Sequence, residues 1–258
     1  MKTIRPSANA GCPRLLAVHL GFIPTSVGRP SLPPVAPPAL PQLLDELSDL
    51  LARMCTQAAT SLRGATAGLL DGRLRLAEKI VAEDATMRDL RAGVEGVATD
   101  TLLFHAPVAG DLRRVLAAIR SSGDLERMGV LARHIAEAAV RRGTPCAVPQ
   151  QVRPAFAEMG KVGVGLAHKA AEVVRTRNVL LAIELDRDDE AMDALHARMF
   201  EVLMDRSWPH GIAAAVDVTL LARYYERFAD HAVLVATETS TAVTGRRPHD
   251  LMDLLGPL

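Results

Sequence analysis

The chain contains 258 residues, long enough for one domain or two small ones, and its 30 Lys and Arg residues balance 30 Asp and Glu residues. This balance gives no general attraction to nucleic acid or acidic membranes, and an aromatic content of 3% leaves few rings for stacking on bases. The composition therefore excludes nucleic acid as an expected partner. Cys12, Cys55 and Cys146 form no CxxC pair, which favours reduced thiols and a cytoplasmic location.

The first 41 residues hold nine of the sixteen prolines, and no further proline follows until Pro107. This composition predicts an extended or disordered tail over residues 1–41. Its apolar run, LLAVHLGFI, is far shorter than the ~20 residues that a membrane-spanning helix needs. Two alternatives stay open, namely a signal peptide, although no Ala-x-Ala-like site follows the run, and a start codon assigned too early.

From residue 42 onward, the prolines separate long segments rich in Ala, Leu, Arg and Glu, without an alternating strand pattern. Proline is tolerated at helix starts and is rare inside helices, so Pro107 and Pro209 mark helix starts. The predicted helices span residues 42–70, 73–105, 108–142, 153–176, 179–206 and 210–243. We therefore predict an all-α fold.

The last predicted helix has a clear amphipathic pattern. Its apolar residues recur at steps of three and four, at Val218, Leu221, Tyr225, Phe228, Ala232 and Val235. This stripe is predicted to pack against other helices. Glu226 and Asp230 lie beside the stripe, one turn apart, together with Arg223.

The six predicted helices form a three-helix unit that occurs twice. DLERMGVLA, which begins at Asp124, matches YYERFADHA at an offset of 100, and DATMRDL, which begins at Asp84, matches DEAMDAL at an offset of 105. We predict two tandem antiparallel three-helix bundles related by an internal repeat, with chance similarity of short helical motifs as the alternative. The predicted parts are a Pro-rich tail at 1–41, a first bundle at 42–143, a second bundle at 150–245 and a C-terminal tail at 246–258.

Two longer segments, APVAGDLRRVLAAIRSSGDLERMG and VDVTLLARYYERFADHAVLVA, resemble the paired signatures of the PhoU family. The resemblance covers roughly residues 42–245 in both repeats. It implies a cytoplasmic, often dimeric protein without catalytic turnover that contacts membrane complexes only peripherally. It also implies a negative regulator of phosphate uptake and of the phosphate-starvation response. Such a regulator links the ATPase of the phosphate ABC transporter to a sensor histidine kinase.

The resemblance further implies a metal site, because some family members hold iron or zinc between carboxylate pairs spaced four residues apart. In the second half both pairs are present, as Asp189 with Asp193 and Glu226 with Asp230. Facing carboxylates suit Fe, Zn, Mn or Mg, whereas without a cation they repel. The alternative is a salt-bridged face, in which Arg223 and Arg227 neutralise Glu226 and Asp230.

The first half departs from this pattern. Arg88 follows Asp84 four positions later, and Val130 follows Glu126. Arginine brings its own positive charge and valine offers no ligand atom, so we expect metal in the second half only.

Three residues at the start of the third predicted helix are candidate contacts for a partner protein. Asp111 lies in the first turn, where a carboxylate favours the positive end of the helix dipole. Arg113 and Arg114 follow it in the family motif and would meet acidic groups of a partner, as would Arg223 and Arg227 in the last helix. His231 is expected to be a capping or interface group rather than a ligand. Trp208 is expected to fold over the end of a bundle, with an exposed anchor for a partner as the alternative.

Enzyme motifs are missing: the sequence has no GxGxxG after a strand, no GxxxxGK[ST], no HExxH and no GxSxG. The main rival function is a carboxylate-bridged metal protein of the oxidase or metal-storage type. Such an oxidase uses Glu-x-x-His on two helices, and the nearest match is a single Asp193–His196 pair. A scaffold protein without metal is a third alternative.

Overall fold

The computed structural model describes residues 38–82, 84–142 and 148–247, which are almost entirely helical and contain no strand. The helices are α1 (Leu40–Asp71), α2 (Leu74–Ala82), α3 (Asp84–His105), α4 (Ala109–Arg142), α5 (Arg153–Thr176), α6 (Val179–Met204) and α7 (Gly211–Thr244). The all-α prediction is confirmed. Five of the predicted helices match α1, α4, α5, α6 and α7 to within two residues at each end.

The predicted helix 73–105 corresponds to two helices, α2 and α3, on either side of residue 83, which lies outside the described residues. The helix α1 begins two residues earlier than predicted. Its start is stabilised by Pro41 in the first turn and by the Gln42 side chain, which accepts a hydrogen bond from the Ala39 N–H. The predicted tail at 1–41 is therefore wrong at its end, because Leu40 and Pro41 belong to α1. The described residues do not include the rest of that tail up to residue 37, the C-terminal tail from residue 248, Cys12 or Cys146.

The apolar stripe predicted in α7 is buried. All six of its residues are at most 2% exposed, and Tyr225 and Phe228 are among the largest fully buried side chains of the core. Tyr225 packs against Phe156 of α5, with ring centroids 5.7 Å apart. Burial of this stripe therefore places the neighbouring side of α7, with Glu226 and Asp230, toward α6.

The two halves meet through α1 against α5 and α4 against α7. Glycines in α5 allow a close approach, since a Cβ atom at Gly160 or Gly163 would lie 2.7 Å from Thr66 or Leu62 of α1. The Thr66 hydroxyl is 2.9 Å from the Tyr225 hydroxyl, so α1, α5 and α7 are joined at one level. The first half (α1–α4) and the second half (α5–α7) thus share one hydrophobic core.

Polar contacts fix the antiparallel pairing of these helices. Near the start of α4, the Arg113 guanidinium donates to the Ala242 carbonyl near the end of α7, at 3.4 Å. Further along, the His231 Nδ1 lies 3.0 Å from a carboxylate oxygen of Asp124. His231 is therefore an interface residue, as expected from the sequence. Among the described residues, no helix is both long and apolar enough to cross a membrane.

Candidate functional site

The facing sides of α6 and α7 hold the four acidic residues that the sequence singled out. Glu226 of α7 is buried, and Asp189 of α6 has one buried carboxylate oxygen, whereas Asp193 is exposed and Asp230 is half-buried. Each carboxylate lies close enough to its neighbours for their charges to interact. The structure thus brings the two predicted pairs together as one acidic cluster.

Burial and mutual repulsion disfavour ionisation in this cluster. Loss of hydration, followed by the charges of Asp193 and Asp230, raises the pKa of Asp189 to about 7. Burial, followed by the charge of Asp230, also raises the pKa of Glu226, although Arg223 and His196 act in the opposite direction. A bound cation would remove this penalty, and so would a proton on Asp189.

His196 belongs to the same cluster, although sequence analysis considered it only as part of an oxidase motif. Its Nε2 is buried without a hydrogen-bond partner, and so are Asp189 Oδ1 and Glu226 Oε2. Buried polar atoms are normally paired, so three unpaired atoms at one place are unusual. Two carboxylate oxygens and an imidazole nitrogen form a donor set that suits Fe or Zn.

The alternative of a salt-bridged face, with Arg223 and Arg227 pairing Glu226 and Asp230, holds for one pair only. Arg223 contacts Glu226 through its guanidinium, one turn away on α7. Arg227 and Asp230 make no ion pair with any described residue. Across the described residues, no group of three or more His, Cys, Asp or Glu side chains is already arranged to hold a metal ion. One arginine therefore neutralises one oxygen of Glu226 and leaves its second oxygen free.

In the first half, an arginine that was not recognised in the sequence neutralises the corresponding glutamate. Arg91 of α3 contacts Glu126 of α4 and also donates to Glu95 at 3.0 Å. The repeat offset of 105 places Arg91 at the position of His196, and Glu126 corresponds to Glu226. That offset was available in the sequence and could have revealed the pair. In the first half a guanidinium therefore occupies the place of the imidazole.

The residues predicted to contact a partner at the start of α4 lie near the place where the halves meet, whereas Arg223 pairs with Glu226 on α7. Arg114 is half-buried and lies 3.7 Å from Asp45 of α1 and 3.8 Å from Asp111. Arg113 is exposed but bonds to the Ala242 carbonyl of α7. Neither arginine is therefore a free surface charge, and a partner would have to compete with these contacts.

Large apolar side chains are exposed at two corners of the molecule that are related by the repeat. The α3–α4 corner consists of Leu103, Phe104 and Val108, and the α6–α7 corner consists of Met204, Ile212 and Val216. A groove beside Ile212 is flanked by Trp208, whose ring packs on the core and whose Nε1 donates to the Gly211 carbonyl at 3.0 Å. Trp208 thus folds over the bundle end as predicted.

Comparison with known proteins gives a consistent result. The model of the PhoU domain matches twice, at residues 51–139 and 156–239. The phosphate-specific transport system accessory protein PhoU homolog 2 of Mycobacterium tuberculosis is 47% identical over 194 residues, covering 75% of this chain and 91% of that protein. PhoU homolog 1 of Mycobacterium leprae is 45% identical over 196 residues, covering 76% and 88%.

Solved structures agree on the fold. The crystal structure of PhoU from Pseudomonas aeruginosa superposes with a TM-score of 0.72 at 20% identity, covering 81% of this chain and all of that chain. The PhoU structure from Streptococcus pneumoniae gives the same TM-score at 21% identity, covering 81% of this chain and 99% of that chain. The two matched segments and these structures confirm the prediction of two repeated helical bundles.

Proposed function

The chain belongs to the PhoU family, and on that premise we propose that it is a cytoplasmic negative regulator of phosphate uptake and of the phosphate-starvation response. In this role it acts as an adaptor between the ATPase of the phosphate ABC transporter and its sensor histidine kinase, rather than as an enzyme. The observation that carries the proposal is the family match in both halves, together with relatives named as accessory proteins of phosphate transport.

The two exposed corners support an adaptor with two partners. Phe104 is 62% exposed and Ile212 is 84% exposed, and both have further apolar neighbours. Clustered apolar side chains on a surface are typical of protein interfaces. We assign the ATPase and the kinase to these two corners, one partner to each.

The test begins with deletion of the gene. In excess phosphate, the deletion strain is expected to keep a starvation promoter active and to continue phosphate uptake, and the wild-type gene should restore both. Phe104→Glu and Ile212→Glu should restore neither, because each places a charge in an apolar interface. Thr60→Glu, an exposed site in the middle of α1, is the matched control and should restore both.

A deletion strain with normal promoter activity and normal uptake would contradict the regulatory role. Full restoration by both corner variants would leave the role intact but would remove the corners as its docking surfaces. The resemblance also implies a homodimer with only peripheral contact to membrane complexes. Sedimentation of the purified protein measures the first of these properties, the oligomeric state.

A second proposal concerns the acidic cluster, which we infer binds Fe, Zn, Mn or Mg in the second half only. The three unpaired buried atoms of Asp189, His196 and Glu226 favour it, because a cation would supply their missing partner once the side chains turn toward it. Asp193 and Asp230 would complete the shell from their exposed sides. A bound ion would neutralise the cluster and hold α6 against α7.

Elemental analysis of the purified protein tests this second proposal. The wild type should carry up to about one ion per chain, and Glu226→Ala combined with Asp230→Ala should lose it. Asp188→Ala, also on α6 but paired with Lys169 at 2.6 Å, is the control and should keep the metal. Unchanged metal content in the double variant would exclude the cluster as the site.

A further inference from the structure

A small cavity lies at one end of the seam between the two halves. Its volume is about 40 Å³, and its walls come from α1, α4, the end of α5 and the end of α7. Most of the lining is apolar, but two arginines, Arg114 and Arg177, and the hydroxyl-bearing Ser121 also face it. The cavity is separate from the acidic cluster between α6 and α7.

The two guanidinium groups share one oxygen atom. The Asp45 Oδ1 lies 2.8 Å from the Arg177 Nη2 and 3.7 Å from the Arg114 Nη2. Asp45 itself is 68% exposed, so its carboxylate reaches the arginines from the solvent side. Exposed ion pairs contribute little free energy, and this carboxylate can therefore be displaced. Its oxygen marks a position that another anionic oxygen can take.

Ser121 supplies an unused donor on the inner wall. The residue is 1% exposed, and its hydroxyl has no hydrogen-bond partner. A buried hydroxyl is seldom left unpaired, because the loss of its hydrogen bonds to water is not compensated. Ser121 therefore points to a ligand or a water molecule with an acceptor atom in the cavity.

The charges of Arg114 and Arg177 give further support. Burial, followed by the nearby charge of Arg177, lowers the pKa of Arg114, and Asp111 and Asp45 offset this only in part. Two guanidinium groups held this close to each other favour an anion between them.

From this geometry we propose that the cavity binds a phosphate-sized oxyanion, held by the guanidinium groups of Arg114 and Arg177 at its mouth. Ser121 lies two turns further along α4, so its hydroxyl contacts the ion through water in the cavity. The identification of the ion as inorganic phosphate rests on the proposed function, whereas the oxyanion site itself does not. Because the walls come from both halves, a bound ion stabilises the seam between them. Phosphate would then change how the two halves, and their corners, are held together.

Isothermal titration calorimetry of the full chain with inorganic phosphate at constant ionic strength tests the site. Wild-type protein should bind one ion per chain. Arg177→Gln and Arg114→Gln should each weaken binding by about tenfold or more, since each removes a charge-assisted bond. Ser121→Ala should weaken it less. Asp45→Asn should strengthen binding about threefold or more, because it removes the competing carboxylate.

Arg120→Gln is the matched control, because Arg120 is an exposed arginine on α4 that pairs with Glu238 outside the cavity. It should leave phosphate affinity unchanged. Each variant is first checked by thermal melting, and Asp45→Asn gives a gain in affinity that misfolding cannot imitate. No binding by either the wild type or Asp45→Asn, or equal binding by all the variants, would overturn the proposal.

A second titration with sulfate separates the oxyanion site from its specificity for phosphate. Sulfate binding equal to phosphate binding, with the same variant pattern, supports an oxyanion site but removes phosphate as its specific ligand. Phosphate binding together with normal promoter control in the deletion strain supports the site and contradicts the regulatory role. The two proposals can therefore fail independently.

Discussion

The surroundings of Asp189 raise the pKa of its carboxyl far above the ordinary value. One of its oxygens is buried without a partner, and this burial, followed by the charges of four acidic neighbours, raises its pKa to about 7. In the unfolded chain the carboxyl ionises at its ordinary, much lower pKa. Between these two values the native state holds a proton that the unfolded state does not. The stability that this proton supplies is therefore greatest at low pH and is lost as the pH rises toward 7.

The substitution Asp189→Asn removes this dependence of stability on pH, because asparagine does not ionise. In chelator-treated protein we expect the variant to be more stable than the wild type at pH 8, by about 1–2 kcal/mol after allowing for solvent screening, and nearly equal to it at pH 4. Chemical denaturation at both pH values measures the difference. Glu190→Gln, at the exposed neighbouring position, should show no such pH dependence. A variant less stable than the wild type at pH 8 would contradict the raised pKa.

The repeat makes the difference between the two halves testable. Arg91 contacts Glu126 in the first half, where the second half has His196 beside Glu226. Arg88→Asp with Val130→Asp restores both acidic pairs but leaves the Arg91 cation in place. We therefore expect no metal in the first half of this double variant, and about one ion when Arg91→His is added.

These variants are best made with Glu226→Ala and Asp230→Ala, so that the second half contributes no metal. Elemental analysis then reports the first half alone. Metal in the double variant would show that Arg91 does not block the site. No metal in the triple variant, if the unaltered second half binds metal, would mean that the donor set needs more than these positions.

The contact between α1 and α5 depends on the absence of a side chain at Gly160. A Cβ atom there would lie 2.7 Å from Thr66 Cγ2 and 2.9 Å from the hydroxyl that bonds to Tyr225. Gly160→Ala should therefore destabilise the protein by about 1–3 kcal/mol through overpacking. Gly165→Ala, on the same helix with nothing within 4 Å, should instead stabilise it by up to about 1 kcal/mol.

Denaturant unfolding of both variants measures this difference. Because alanine raises helix propensity equally at both positions, opposite signs isolate the packing cost. A stabilising effect at Gly160 as well would mean that α1 moves away from α5 without loss.

Helices were predictable because their signals are local. The start of α5 at Arg153, with Pro154 in its first turn, follows from proline placement, and the buried stripe of α7 follows from a period of 3.6 residues. Both agree with the structure. The pairing of Arg91 with Glu126 could also have been predicted, because the repeat offset aligns Arg91 with His196. The cavity was not, because Arg114 and Arg177 are brought together only by the packing of four helices, and no local pattern in the sequence reports their distance.

At the scale of the whole molecule, the two repeats form a single core. Tyr225 of the second half is fully buried, and its hydroxyl contacts Thr66 of the first half. Leu62 of the first half is likewise fully buried, close to Gly163. Each half alone would expose these surfaces to water. The free-energy cost of this exposure is about 25 cal/mol per Å² of apolar area.

We therefore expect the full chain to unfold in one calorimetric transition, with equal calorimetric and van't Hoff enthalpies. Residues 38–142 and 148–247, expressed separately, should each bind a hydrophobic dye and melt without a cooperative transition. Mixing the two fragments should restore cooperative melting, because the α1–α5 and α4–α7 contacts can re-form. Two separate transitions in the full chain, or cooperative melting of either fragment alone, would mean that the halves are independent domains and that a ligand in the seam cannot couple them.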